Sequence, residues 1–205
     1  MDNSSWTNLG RTMWAALRML LVLTVVAGVV YPLAVTGIGQ AAFHDKADGS
    51  LMTADGREVG SKLIGQSWNL PGTDRPDPKW FQGRPSHSDY DPLATGSSQL
   101  GASDPTLVKS VKEAKEQVAA FNNVPESEVP ADAVTGSASA IDPDISPQYA
   151  DIQVRRVAEA DGLPVAQVRK LVADHTEGRT LGFMGEPHVN VLQLNLALKD
   201  LVSKQ

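Results

Sequence analysis

The side chains best able to do chemistry in this chain are a few carboxylates and imidazoles that stand close together in the sequence. The groups are Glu126 with Glu128, Asp142 with Asp144, and His87 with Asp89 and Asp91. Paired carboxylates can act as general acid and base, and oxygen ligands can hold a hard cation. Proline or serine interrupts all three groups, which is typical of turns capped by polar side chains. We therefore predict that they form turns and that the chain has no metal site.

The other patterns that usually accompany catalysis are missing from the sequence. His175 and His188 fall on different predicted elements and lack the His-Glu-x-x-His spacing of zinc hydrolases. The stretch nearest to a phosphate-binding G-x-x-x-x-G-K-[ST] loop, residues 56–62 (GREVGSK), has its glycines and lysine at the wrong positions. The sequence also lacks the Asp-Lys-Thr-Gly-Thr stretch of ATPases that form an aspartyl-phosphate. We predict no catalytic residue and no cofactor bound by the chain itself.

Composition limits both the size of the core and the class of partner. With 205 residues, 41% of them hydrophobic, the chain can form one modest domain and an anchor. A net charge of -6 without any basic stripe argues against a nucleic-acid partner, because phosphate binding needs clustered Lys and Arg. The absence of cysteine excludes disulfides and thiolate chemistry and is compatible with either redox compartment.

Residues 19–38 (MLLVLTVVAGVVYPLAVTGI) carry no charged side chain. Twenty helical residues at about 1.5 Å each reach about 30 Å, the thickness of a bilayer core. The alternative is a cleaved signal peptide, with residues 39–41 as a small-residue cleavage site and a secreted binding protein as the product. Signal peptides usually have shorter apolar runs, of about 7 to 15 residues, so we favour a retained transmembrane helix.

Flanking charge predicts the orientation of this helix. Arg11 and Arg18 precede it with Asp2 as the single acid, whereas both signs of charge follow it in residues 44–48 (HDKAD). Because positive residues remain inside, we expect a single-pass protein of the cell membrane with a cytoplasmic N-terminus. The predicted organisation is a cytoplasmic segment (1–12), a transmembrane helix (13–38) and an extracytoplasmic globular domain (39–205).

Three residues within the predicted span could form a contact face. Thr24 and Gly28 are four positions apart and so share one side of a helix, and Pro32 removes the backbone donor that would have reached Gly28. Small residues let two helices approach closely in lipid. Gly and Pro are also common in membrane helices generally, so packing against a partner helix and a purely structural role both remain open.

For the outer domain the sequence predicts an α+β fold that is helix-rich toward the C-terminus. Short strands and turns are expected over residues 43–105, with apolar pieces at 59–64 and 80–81, and a further short strand near Val134. Capping residues predict four helices. They cover about 105–122 after Asp104, 147–161 between Ser146 and Gly162, 164–175, and a last helix that begins after Asn190.

Six segments in order resemble one protein family. They are residues 30–32 (VYP), 60–68 (GSKLIGQSW), 80–86 (WFQGRPS), 96–107 (GSSQLGASDPTL), 129–157 (VPADAVTGSASAIDPDISPQYADIQVRRV) and 185–198 (GEPHVNVLQLNLAL). Together they resemble KdpC, the C subunit of the Kdp potassium-transporting ATPase, over nearly the whole chain. Two loops depart from the family pattern. Residues 95–100 read TGSSQL where the family tends to have SGGSNL, and Gly136 and Ala140 stand where it tends to have Ala and Gly.

The resemblance implies a non-catalytic accessory subunit of a high-affinity, ATP-driven potassium importer. Its partners would be a potassium-translocating subunit, a P-type ATPase subunit and a small membrane peptide. The resemblance also implies a chaperone role that raises the ATP affinity of the ATPase subunit, through a stretch that matches Ser137, Ser139 and Gln148 here. ATP would then be bound through the ATPase subunit.

The predicted topology favours a different role for the outer domain. A cytoplasmic N-terminus puts residues 39–205 outside the membrane, away from cytoplasmic ATP. A domain in that position would stabilise the assembly and cap the extracellular entrance for potassium.

Overall fold

The computed structural model describes residues 3–204, with side-chain environments from residue 8 onward, so Met1, Asp2 and Gln205 lie outside the described residues. The chain divides into two compact units, residues 1–50 and 51–205. The helices are α1 (Asn3–Val25), α2 (Tyr31–Ala42), α3 (His44–Ala47), α4 (Pro105–Asn122), α5 (Pro147–Asp161), α6 (Val165–Asp174) and α7 (Val191–Val202). The strands are β1 (Leu51–Ala54), β2 (Arg57–Ser61), β3 (Asp144–Ile145), β4 (Thr176–Glu177) and β5 (His188–Asn190).

The first unit is dominated by one long apolar helix. Its stretch Asn8–Ala42 is long and apolar enough to cross a membrane, with a mean hydropathy of 2.3 over its most apolar window. None of that window is buried within the chain. The fold class predicted from the sequence, one N-terminal membrane helix before an α+β domain, is confirmed.

Pro32 is accommodated by a widened turn rather than by a break in the helix. Residues Val26–Val30 form one π-helical turn between α1 and α2, and the amide of Tyr31 donates to the carbonyl of Val26, five residues earlier. A proline in a regular α-helix clashes with the carbonyl four residues before it, here that of Gly28. Local π geometry is a recognised way to relieve such a conflict within an otherwise continuous helix.

The helices of the second unit begin and end where the capping residues predict. Asp104 accepts a hydrogen bond from the amide of Thr106 at the start of α4, and Ser146 accepts one from Tyr149 at the start of α5. Asn190 accepts from the amide of Gln193 in α7. Gly162 ends α5 in the left-handed conformation with φ of 69°, which glycine adopts without steric cost.

The strands differ from the prediction in several places. Arg57–Ser61 is a strand of an antiparallel hairpin, but it ends at Ser61 rather than at residue 64. Its partner β1 lies within the region where short strands were expected, at a position that the sequence did not indicate. Val134 follows a 3-10 turn at Ala131–Ala133 and is not in a strand. The second sheet has the order β3-β5-β4, all antiparallel, and is built from segments of two or three residues. Such short strands lack the alternating pattern that a sequence can reveal.

Residues 80–81 are not a strand either, because side-chain amides take the place of neighbouring strands. The Phe81 amide donates to Oδ1 of Asn195 (2.9 Å), and Nδ2 of Asn195 donates back to the Phe81 carbonyl (2.9 Å). Gln153 bonds both backbone groups of Gln82 in the same way, at 2.7 and 3.1 Å. Phe81, Gln153 and Asn195 are each fully buried. The side chains of Asn195 and Gln153 therefore satisfy the backbone groups of residues 81 and 82, which do not pair with a strand.

The core lies between this extended segment and the C-terminal helices. Its buried side chains come mainly from α5, α6, α7 and β5 and include Val154, Val157, Val168, Val189, Leu194 and Leu198. Trp68 and Trp80 pack against its edge with ring centroids 5.3 Å apart. The segment before α4 is thus fixed to the helical core by both packing and hydrogen bonds.

Replacing Asn195 by Ala should lower the free energy of unfolding by about 2–4 kcal/mol, because both Phe81 backbone groups would remain buried without a partner. Denaturant unfolding of the detergent-solubilised chain, followed by tryptophan fluorescence, measures the loss. Gln167→Ala, a change of the same type at an exposed position of α6, is the control and should cost under about 0.5 kcal/mol. Equal losses in the two variants would contradict the role given to Asn195.

Candidate functional site

The first candidate surface is the uncovered face of the long helix. Thr24, Gly28 and Pro32 are all exposed, as the predicted contact face requires. A Cβ added at Gly28 would meet no atom within 4 Å, so the helix surface there is open to close approach. Large apolar side chains on both sides of it, such as Val25 and Val29, are half exposed or more. Such a surface requires lipid or another apolar helix around it.

The second candidate surface is a cluster of loops held together by Arg84. Its Nη1 donates to Oδ2 of Asp142 at 3.0 Å, and its other nitrogens donate to the carbonyls of Thr135 and Gly136 at 3.4 Å. The amide of Gly65 donates to the carbonyl of Ile141 at 2.8 Å. Three of the six family-like segments, those containing residues 65, 84 and 141, therefore meet here.

Tyr90 lies at the centre of this cluster. Its hydroxyl donates to the carbonyl of Arg84 at 2.6 Å, and its amide donates to the Ser86 hydroxyl at 2.8 Å. A Cβ on Gly65 or Gly83 would collide with the Tyr90 side chain, so both positions need glycine. Burial, with a smaller contribution from Asp142, raises the pKa of Tyr90 to about 12. The phenol therefore remains a neutral hydrogen-bond donor across the physiological range.

The three residues that the resemblance links to nucleotide have different environments. Ser137 is buried, and its hydroxyl lies 3.3 Å from that of Ser139. Ser139 is exposed, accepts a hydrogen bond from the Ile141 amide through its hydroxyl, and accepts another from Gly96 through its carbonyl. Gln148 is exposed in the first turn of α5. Ser137 and Ser139 are thus brought together by their loop, whereas Gln148 lies on a different element, α5.

Two cavities lie along α4. The larger, of about 370 Å³, is lined by residues of α4 and by two polar loops and includes His87, Ser97, Ser98, Gln99, Ser110, Thr135 and Ser137. The smaller, of about 270 Å³, is mostly apolar and includes Phe121 and Tyr149. Ser137 therefore faces a cavity, while Ser139 and Gln148 do not line either of the two.

The carboxylate pairs form turns and structural contacts. Asp142 pairs with Arg84, and Asp144 accepts a hydrogen bond from Asn190 at 2.9 Å. Burial raises the pKa of Asp144 above its usual value. Glu126 and Glu128 are exposed in a 3-10 turn. Within the described residues, no three His, Asp or Glu side chains are grouped so that they could hold a metal ion.

The two loops that depart from the family pattern carry backbone strain. Gln99 has φ of 54° and Ala140 has φ of 62°, values in the left-handed region that side chains other than Gly, Asn and Asp adopt at a cost of about 1 kcal/mol. The family pattern that the sequence resembles implies Asn and Gly at these two positions, residues that suit this conformation. Gly136, where the family tends to have Ala, has no such φ.

Sequence reasoning missed the side chains that hold these loops. Arg84, Tyr90 and Asp132 carried no motif of their own, and Asp132 accepts hydrogen bonds from both the amide and the hydroxyl of Ser146, at 2.7 and 2.9 Å. Arg84 and Asp142 are 58 residues apart. The available signal was that Arg84 and Asp132 lie within the family-like segments, which located them without giving their roles, whereas Tyr90 lies outside these segments.

Replacing Tyr90 by Phe should destabilise the protein by about 1–2 kcal/mol near neutral pH, since the Arg84 carbonyl loses its donor. The folded phenol has the higher pKa, so its contribution is fully present below pH 10 and is lost as the pH rises from 10 to 12. Between pH 10 and pH 12 the free energy of unfolding of the wild type should therefore fall by up to roughly 3 kcal/mol more than that of Tyr90→Phe. Denaturant unfolding at several pH values measures the difference, and parallel pH profiles would contradict it.

Comparison of the sequence with known proteins identifies one family. A sequence model of the family described as KdpC, K+-transporting ATPase c chain, matches residues 13–200. A protein named potassium-transporting ATPase KdpC subunit in Streptomyces avermitilis is 54% identical over 98% of this chain and 99% of its own length. Proteins of the same name in Streptomyces coelicolor and Caldanaerobacter subterraneus are 52% and 43% identical, over 98% and 96% of this chain and 97% and 98% of their own lengths. Because these matches extend over nearly the whole length, this chain belongs to the KdpC family, the c chains of K+-transporting ATPases.

Proposed function

We propose that the chain is a non-catalytic accessory subunit of an ATP-driven potassium import complex. Its partners in this proposal are a potassium-translocating subunit, a P-type ATPase subunit and a small membrane peptide. The observation that carries the proposal is the long helix, whose apolar window is entirely unburied within its own chain. Membership of a family of ATPase c chains gives that helix a natural environment, since lipid and other membrane helices would cover it.

The hydrogen bonds of the buried polar side chains in the second unit support a non-catalytic role. The buried side chains of Gln153, Asn195 and Arg156 are bonded to backbone or to one another, and Asp142 is held by Arg84. A catalytic group needs a free nucleophile or a base aimed at an open site. These groups instead hold loops in place.

In this proposal the N-terminus is cytoplasmic and the second unit lies outside the membrane, where it caps the entrance for potassium. Arg11 and Arg18, which precede the uncharged stretch of the helix, support this orientation. After residue 40 the chain has 16 basic and 23 acidic residues, a net charge of about -7. An acidic domain over a cation entrance would not repel the incoming ion, although charges beyond about 8 Å are largely screened at physiological salt.

Gly28→Leu should weaken assembly roughly tenfold if the Thr24, Gly28 and Pro32 face packs against a partner helix, because a leucine side chain prevents close approach. The measurement is the amount of chain that co-purifies with the coexpressed ATPase subunits in detergent. Ala34→Leu, also exposed, lies six residues further along and on a different side of the helix, so it is the control and should co-purify normally.

Two results would count against parts of this proposal. Equal co-purification of Gly28→Leu and the wild type would remove the packing face but leave the subunit role. A wild-type chain that begins near residue 42 after expression and fractionates with soluble protein would instead identify the apolar segment as a signal peptide.

The nucleotide role attached to Ser137, Ser139 and Gln148 is tested separately. With these residues outside the membrane, cytoplasmic ATP would not reach them, so Ser137→Ala combined with Gln148→Ala should leave the ATP concentration dependence of potassium-stimulated hydrolysis unchanged. The assay uses the assembled complex, with co-purification as the control for assembly. A shift of several-fold in the half-saturating ATP concentration, with assembly intact, would support the chaperone role over the capping role.

A further inference from the structure

A short hairpin in the second unit presents apolar side chains to solvent. Residues 179–186 (RTLGFMGE), called here the apolar finger, lie between β4 and β5. Leu181 is 80% exposed, Phe183 71% and Met184 52%. Isolated exposed apolar residues are ordinary, but three large ones within four positions form a patch typical of interaction sites.

The backbone of the apolar finger is fixed by its own hydrogen bonds. Thr180 and Met184 exchange two backbone hydrogen bonds of 2.9 Å each, and the Gly182 amide donates to the Arg179 carbonyl at 3.0 Å. At the base, Arg179 donates to the carboxylate of Glu186 at 2.7 Å. A preorganised loop loses little entropy when it binds, which favours affinity.

Leu181 also has an unusual backbone conformation. Its φ is 55°, in the left-handed region that a leucine adopts at a cost of about 1 kcal/mol. Since its side chain is 80% exposed, packing within the chain does not compensate for this cost. Strain of this kind is concentrated at functional sites.

Charge distinguishes between the kinds of surface the finger could meet. Residues 176–188 contain one basic side chain, Arg179, which is already paired, and two acidic ones, Glu177 and Glu186. A finger that inserts into an anionic lipid surface normally relies on unpaired Lys and Arg. An apolar tip on a slightly acidic base therefore fits an apolar cleft of a protein better than a membrane.

We propose that the apolar finger docks into an apolar cleft on the outer surface of another subunit of the same ATPase complex. This inference rests on the proposed function, because it requires that the chain is assembled with such subunits. It adds a specific attachment point in the second unit, independent of the long helix. Phe183 is the central anchor, since buried aromatic side chains dominate such interfaces.

The test begins with the full-length chain purified in complex with its defined ATPase subunits. Phe183→Ser should raise the concentration at which half the chain dissociates on dilution by about 30-fold, the effect of losing one strong anchor. Leu93→Ser is the matched control, because Leu93 is 95% exposed and lies outside the finger. It should leave dissociation unchanged, and both variants should unfold at the wild-type temperature.

A photoreactive p-benzoylphenylalanine in place of Phe183 identifies the occupant in membranes that contain the whole complex. Cross-linking to another ATPase subunit is the expected result. Cross-linking to lipid alone, to a second copy of the chain, or to nothing would overturn the inference, as would equal dissociation of Phe183→Ser and Leu93→Ser. If the wild-type chain does not co-purify with the ATPase subunits at all, the proposed function itself fails first.

Discussion

The fold of the second unit depends on how a long irregular segment satisfies its backbone. Residues 62–104 contain no strand or helix, yet part of this segment is buried against α5 and α7. Arg156 donates hydrogen bonds to backbone carbonyls of this segment. It donates to the carbonyl of Trp80 at 3.0 Å, to the carbonyl of Pro78, and to Oε1 of Gln153 at 2.7 Å, while its guanidinium lies 4.4 Å from the Phe121 ring centroid. Burial lowers the pKa of Arg156 to about 10, which still leaves it charged.

This buried cation links three parts of the second unit. Its Nε donates to Oδ1 of Asn122 at the end of α4, so one side chain of α5 joins α4 to the extended segment. The desolvation of a guanidinium is costly, and the four hydrogen bonds that Arg156 donates offset this cost. The adjoining loop cluster follows from the same constraint, because Gln82 is held by Gln153 and the next residues lead directly to Arg84 and its bond with Asp142.

The two units differ in whether their side chains are covered by other residues of the chain. In the second unit the buried side chains of Gln153, Arg156 and Asn195 hydrogen-bond to one another or to backbone groups, whereas the long helix buries none of its most apolar window. A helix of this kind hydrogen-bonds its own backbone and needs an apolar medium around its side chains. The π turn before Pro32 shows that the helix preserves this internal bonding even where a proline removes a donor. Both features agree with a helix that lies in a membrane.

The local features of this protein could be predicted from neighbouring residues alone. The apolar run, the caps at Asp104, Ser146 and Asn190 and the stop at Gly162 each depend on a few neighbouring residues, and the structure confirms the cap hydrogen bonds and the left-handed stop. The β3–β5 pairing, the side-chain pairing of Phe81 and the Arg84–Asp142 contact depend instead on tertiary contacts. They join positions 44 to 114 residues apart, and no local pattern records which polar side chain will meet which backbone group. The positive φ of Ala140 and Leu181 likewise depends on the loops around them, because their own side chains disfavour it.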